Sequence, residues 1–180
     1  MRIALDHILD RVGARAEGAD ALIRSESQLT LRFESGRLKE SALRRETGLN
    51  LRLVAGGRVG FAGTTDLAGN DALEDVVARA LASAEQGEPC DLAWPPFSQL
   101  EAVRTADDAA AGLDVAALAA LGRRVVEQLA RDGWQVGASV DRFVEETTFA
   151  NSAGQTFAYA SAMWLYVDPY SGEVRVFAQG

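Results

Sequence analysis

His7 and Cys90 are the only histidine and the only cysteine in this chain of 180 residues, and they bound the chemistry it can perform by itself. A metal centre needs several convergent His, Cys or carboxylate ligands. His7 stands beside Asp6 on the first helical segment, outside the Leu5/Ile8/Leu9 face, and one turn further on stands Arg11, a cation rather than a second ligand. It reads as an exposed surface histidine. Cys90 follows Glu88-Pro89 in a proline-bearing stretch, and a catalytic thiolate there would have only His7 to call on as a base, so it reads as a loop thiol. One cysteine also excludes an internal disulfide framework. A Ser-His-Asp system lacks its G-x-S-x-G elbow and any choice of histidine. The run Ala55-Gly56-Gly57-Arg58-Val59-Gly60 joins two strands, whereas a dinucleotide fingerprint must open a helix. Glu145 and Glu146 are adjacent on a strand, point to opposite faces and cannot share a site as a carboxylate pair. No position is therefore assigned as catalytic, cofactor-binding or metal-ligating.

Charge narrows the partners. The net charge is −8, unevenly spread: residues 1–66 hold eleven basic and nine acidic side chains, residues 67–180 seven basic and seventeen acidic. An acidic chain is a poor general nucleic-acid binder, because phosphate contacts need a cationic face. The local exception is Arg37, Lys39, Arg44, Arg45, Arg52 and Arg58, which outnumber Glu40 and Glu46 on consecutive strand segments. A solvated outer sheet face is the reading preferred over a binding patch. Apolar residues make up 48%, enough for a packed core. No apolar run approaches the ~20 residues of a membrane helix, and the charged start MRIALDHILDRVG does not read as a signal peptide. A cytoplasmic protein is expected.

The elements that would position any site follow from periodicity. Leu5, Ile8, Leu9 and Val12 predict a helix over 3–16, closed by Gly18. Residues 21–27 read as a short apolar run. Leu29, Leu31 and Phe33 then alternate with Thr30, Arg32 and Glu34, and Ser35-Gly36 turns the chain into a hairpin with Leu38. The same design recurs in GLNLRLVAGGRVGFAG, where Gly56-Gly57 supply the positive φ of a tight turn. A second helix follows, with Asp66 or Asn70 as cap, Leu73, Val76, Val77, Ala80, Leu81 and Ala84 as apolar face, and Gly87 as stop. Residues 88–112 hold Pro89, Pro95 and Pro96 and read as a linker. A third helix is predicted from about Asp114 to Arg131, closed by Asp132-Gly133; strands follow, turning at Asn151–Gly154 and Asp168–Gly172. The fold class expected is α+β: antiparallel meander and hairpins with helices packed on one side, in two unequal parts. The domain expectation is 1–87, a linker at 88–112, and 113–180 as the start of a longer domain that is cut off.

Four of these segments, taken in order, resemble the N-terminal region of the TldD/PmbA family, long labelled modulators of DNA gyrase. They are Ser35-Gly36-Arg37-Leu38 at a hairpin turn, Gly48 to Arg52, Gly60-Phe61-Ala62-Gly63-Thr64-Thr65-Asp66-Leu67, and the strand-turn-strand FANSAGQTFAYASAMWLYV at 149–167. The Thr64-Thr65-Asp66-Leu67 stretch is similar to the PmbA (TldE) side. The resemblance implies a cytoplasmic metallopeptidase system whose subunits pair around a chamber for unfolded peptide. Zinc is expected only in the catalytic subunit, on an H-E-x-x-x-H motif that this chain lacks. The chain is therefore expected to be a non-catalytic N-terminal portion, pairing as a homo- or heterodimer with a TldD/PmbA-type subunit. The alternative is a stand-alone binding or regulatory module acting on a topoisomerase or nucleic acid.

Overall fold

The computed structural model describes residues 5–94, 105–129, 136–162, 165–167 and 176–178. Its elements are α1 (Leu5–Val12), β1 (Gly18–Glu34), β2 (Arg37–Ala55), β3 (Arg58–Thr64), α2 (Asn70–Glu85), α3 (Asp108–Ala111), α4 (Val115–Leu129), β4 (Ala138–Asn151), β5 (Thr156–Ala162), β6 (Leu165–Val167) and β7 (Val176–Ala178). Five strands form an antiparallel sheet in the order β3-β2-β1-β4-β5, with helices packed on one side. The fold is α+β, as the alternating strand pattern predicts. By contact density the chain groups into two compact units that interleave in sequence: 1–25, 46–103 and 146–159 form the first, 26–45, 104–145 and 160–180 the second.

In the first unit, α1 turns Leu5, Ile8 and Val12 inward, the face its spacing predicts. They join Ala19 and Ala21 of β1, Leu49, Leu51 and Leu53 of β2, and Leu73, Val76, Val77, Ala80 and Ala84 of α2 in one cluster. Each fully buried Leu or Val contributes about 1.5–3 kcal/mol over its exposed state, so this cluster is what holds the helices on the sheet. β2 and β3 pair from Ala55↔Arg58 to Leu49↔Thr64. The turn between them places Gly56 and Gly57 at φ +59° and +67°, the positive pair a two-residue hairpin turn requires. Gly60 has a different task. A β-carbon there would lie 2.1 Å from the carbonyl oxygen of Ala80 and 2.7 Å from the nitrogen of Ala84, so glycine lets α2 rest directly on β3.

The start of α2 differs from expectation. Gly69 is its N-cap, and no side chain accepts from the first turn. Asp66 Oδ1 instead accepts from Ala68 N at 3.0 Å, and Asn70 Oδ1 accepts from Arg11 Nη2 at 2.7 Å. Both expected caps are thus engaged elsewhere. Arg15 Nη1 also reaches α2, at Glu74 Oε1, 2.6 Å away.

In the second unit, Leu29, Leu31 and Phe33 of β1 pack with Val136, Ala138 and Val140 and with Leu118, Ala119 and Val126 of α4. α4 begins after Asp114, whose Oδ1 accepts from Ala117 N at 2.8 Å. Gly122 faces the Phe33 ring. Arg142 Nη1 donates to the carbonyl oxygens of Ala111 and Leu113, at 3.3 and 2.9 Å. β6 and β7 form a separate antiparallel pair, Leu165↔Ala178 to Val167↔Val176.

Three features depart from the sequence reading. Residues 21–27 and 28–34 form one strand of 17 residues. The two segments predicted as separate strands after Gly36 form one strand of 19 residues, because Arg44–Gly48 contains nothing that turns the chain. Within the stretch read as a linker, Asp107 caps the short helix α3 through Ala109 N and Ala110 N. Pro95, Pro96, Phe97, the end of the third helix at Arg131, the Asp132-Gly133 stop and the Asp168–Gly172 turn lie outside the described residues.

Candidate functional site

The residues with reactive side chains stand apart. His7 is exposed on α1, and its carbonyl oxygen accepts from Arg11 Nη1 at 3.0 Å. Cys90 is a free, half-buried thiol whose backbone nitrogen donates to Gly57 O at 2.9 Å. Glu145 is buried and Glu146 exposed, in keeping with opposite faces of β4. Among the described residues no group of three or more His, Cys, Asp or Glu comes together that could hold a metal, so these residues do not fit a zinc centre.

The basic run is divided by its surroundings. Arg52 Nε and Nη2 both donate to Asp20 Oδ2, the former at 2.8 Å. Arg58 Nη1 donates to Gly87 O at 2.6 Å, tying the turn end of the β2–β3 hairpin to the residues just after α2. Alternation along β2 places Arg37, Lys39 and Arg45 on one face and Arg44 on the other. The six cations therefore do not form one patch.

Asp20 is the polar centre that sequence reasoning missed. It sits inside an apolar run at the start of β1, on the face turned away from Ala19 and Ala21, and is only 8% exposed. Its Oδ2 accepts from both Arg52 donors and from Trp94 Nε1, the last at 2.9 Å. A buried carboxylate needs such partners, because desolvation without them costs several kcal/mol. The indole also draws the segment after Gly87 back over the sheet: Trp94 lies against Gly18. The signal available in the sequence was an Asp in an apolar strand with an Arg at an outward position of the next strand. Trp94 carried no such signal. Beside this clamp is an open cleft of about 390 Å³, lined by Asp20, Leu22, Asn50, Arg52, Phe61 and Gly63 among others. Phe61 is 57% exposed at its rim. With three donors on one oxygen, Asp20 is an anchor for Arg52 and Trp94 rather than a free acid or base.

The Asn151–Gly154 turn is built in the same way. Asn151 is buried, and its Oδ1 accepts from Ala153 N and Gln155 N at 3.0 and 2.9 Å. Ser152 N donates to Ala19 O at 2.8 Å, and Ser152 Oγ accepts from Ala19 N at 3.0 Å. The Asn-Ser-x-Gly motif thus ties the β4–β5 hairpin to the first residues of β1. A second cleft of about 420 Å³ opens beside it, with Asp6, Asp10 and Glu17 in its lining. Phe149 and Phe157 stack nearby in the hairpin, ring centroids 4.7 Å apart.

Comparison with known proteins places this scaffold. Residues 19–84 match the family model described as PmbA/TldA metallopeptidase domain 1. No curated protein matches the chain. Solved structures share its fold. TldE from Thermococcus kodakarensis superposes with a TM-score of 0.76 at 13% identity, over 98% of this chain. A protein titled putative modulator of DNA gyrase from Bacteroides thetaiotaomicron gives 0.77 at 20% identity, over 97% of this chain. Another so titled, from Thermotoga maritima, gives 0.76 at 15% identity, over 98%. This chain spans 42%, 42% and 44% of the three structures. Residues 19–84 are thus similar to PmbA/TldA metallopeptidase domain 1, and the chain shares the fold of these three structures.

Proposed function

We propose that this chain is a non-catalytic N-terminal portion of a TldD/PmbA-type metallopeptidase, serving subunit assembly and the channelling of unfolded peptide in the cytoplasm. The carrying observation is the use to which the family motifs are put. Gly60 seats α2 on β3, and Asn151 and Ser152 bind the hairpin to β1. These motif residues serve the scaffold, as a wall requires and a catalytic centre does not. Zinc belongs on this reading to the catalytic subunit. No helix among the described residues is long and apolar enough to cross a membrane. The expected partner is a TldD/PmbA-type subunit, in a homo- or heterodimer, with this chain on the PmbA (TldE) side. Light scattering of the chain, alone and mixed with a zinc-bearing TldD-type subunit, tests the assembly. A defined complex in the mixture supports the proposal, and unchanged masses of the two components contradict it.

A second reading, regulation of a topoisomerase or of nucleic acid, takes its support from the printed titles of two structural neighbours and from the cations of β2. It requires DNA binding whose affinity falls steeply with salt. Ion pairing of Arg52 with Asp20 and capture of Arg58 by Gly87 O count against it.

A further inference from the structure

We infer that the cleft of about 390 Å³ beside the Asp20–Arg52 pair is a carboxylate site, and that it takes the C-terminal end of a peptide whose last residue is apolar. The inference deepens the peptide-handling reading above and rests on it. Asn50 and Arg52 stand two residues apart on β2, so they project from the same face of the sheet. The register sets Gly63 opposite Asn50 and Phe61 opposite Arg52. Leu22 of β1 also lines the cleft. Asp20 holds Arg52 through Nε and Nη2, and the arginine side chain is still 42% exposed. Arg52 Nη1 has no acceptor among the described residues, and the exposed Asn50 carboxamide has no hydrogen-bond partner among them either. A β-carbon on Gly63 would stand 3.0 Å from Asn50 Oδ1, so glycine keeps the floor open beneath the carboxamide.

The unengaged groups select the ligand. The carboxylate of the cleft, Asp20, is buried and already accepts from Arg52 and Trp94, so it offers little to a cation. What faces solvent is a guanidinium nitrogen and a carboxamide, two donors on one face. Alternate residues of a strand stand about 6.5 Å apart, a gap that a carboxylate spans with one oxygen on each donor. The bond from arginine is charge-assisted, roughly twice as strong as a neutral one. Asp20 also fixes Arg52 in advance, which lowers the ordering cost of binding. Directly opposite residues of an antiparallel pair lie about 5 Å apart. The Phe61 ring, 57% exposed, therefore meets the ligand close to its carboxylate. The last residue of a peptide carries a carboxylate and a side chain on one carbon, and meets both requirements together. An internal Asp or Glu brings its carboxylate with no apolar group beside it. The Asp20–Arg52 pair leaves no net positive field, so the site holds one carboxylate by contact rather than a polyanion by long-range attraction.

The test uses the whole chain and the peptide Gly-Ser-Gly-Ser-Leu, labelled with fluorescein at its amino end and free at its carboxyl end, read by anisotropy. One control is the same peptide ending in an amide. The other is amidated Gly-Ser-Gly-Asp-Ser, whose only carboxylate is a side chain. The expected result is binding of the free-acid peptide, with both controls at least tenfold weaker. Asn50→Leu removes one donor and Phe61→Ser the apolar wall, and each should weaken the free-acid peptide about tenfold. Asn50 is exposed and bonded to no described side chain, so circular dichroism of N50L should match the parent. No binding of the free-acid peptide, equal binding of either control, or undiminished binding by N50L would overturn the inference. Mixing the parent chain with a TldD-type subunit separates two failures. Assembly without peptide binding overturns the carboxylate site alone, and no assembly overturns the subunit reading beneath it.

Discussion

Replacing Gly60 by alanine should cost this protein far more stability than one methyl group ordinarily does. The new β-carbon would lie 2.1 Å from Ala80 O, 2.7 Å from Ala84 N and 2.9 Å from Ala84 Cβ. Comfortable contact between carbon atoms begins at about 3.5 Å. Two of these three atoms are helix main chain, so no rotamer change relieves the overlap, and α2 must move off β3. Moving it loosens Leu73, Val76, Val77 and Ala80 from the leucines of β2. Overpacking costs about 1–3 kcal/mol, and a main-chain opponent places this case near 3 kcal/mol. Ala for Gly returns about 0.4–1 kcal/mol through the unfolded chain. The net loss of about 2–2.5 kcal/mol, at roughly 2–4 °C for each kcal/mol, lowers Tm by roughly 4–10 °C. Gly48→Ala is the matched control, since its β-carbon would meet only Thr64 O at an ordinary 3.8 Å. Thermal and urea unfolding followed by circular dichroism would read both variants. A G60A protein as stable as the parent, or a G48A protein equally damaged, would refute the close-approach argument.

Three further outcomes follow from the same contacts. Gly122→Ala should lose about 1–2 kcal/mol despite the better helix propensity of alanine, because its methyl would lie 2.3 Å from the Phe33 ring. Phe33→Leu in the same chain should recover about 1 kcal/mol of that loss in a double-mutant cycle by urea unfolding, and strict additivity would contradict the packing. Asp20→Ala leaves the Arg52 guanidinium and Trp94 indole without their acceptor, so it should cost about 1–3 kcal/mol in urea unfolding and red-shift the tryptophan emission; unchanged emission would mean that the clamp does not hold Trp94. The hydrogen bond from Arg15, helped by the charges of Arg15 and Arg11, holds the Glu74 carboxyl below its ordinary 4.5. A lowered folded pKa gives stability that is present above the ordinary value and lost as pH falls through the lowered one. Glu74→Gln should therefore flatten part of the acid-side fall of the unfolding midpoint below pH 4.5, and an identical acid profile would count against this pairing.

The sequence was legible where structure is local. Helix faces follow from spacings such as Leu5/Ile8/Val12, and the hairpin turns at Ser35-Gly36 and Gly56-Gly57 announce themselves through residues that accept positive φ. Long strands were read as shorter ones because polar residues at 24–28 and 44–47 interrupt the apolar alternation without supplying a turn. The cap of α2 was misplaced because Asn70, a good capping residue by type, is occupied by Arg11 from 59 positions away. The Asp20–Arg52–Trp94 clamp lay beyond reach for the same reason: its members are 32 and 74 residues apart and no periodicity links them. The family motifs could be recognised before they could be explained. Gly60 and Asn151 acquire their reason only when α2 and β1 are in place.

The most direct measurement is the rate at which a zinc-bearing TldD-type subunit cleaves an unfolded peptide, with and without an equimolar amount of this chain. The chain is expected to be inactive by itself and to change the subunit's cleavage rate when the two associate. A subunit whose rate ignores the chain, or cleavage by the chain alone, would contradict it.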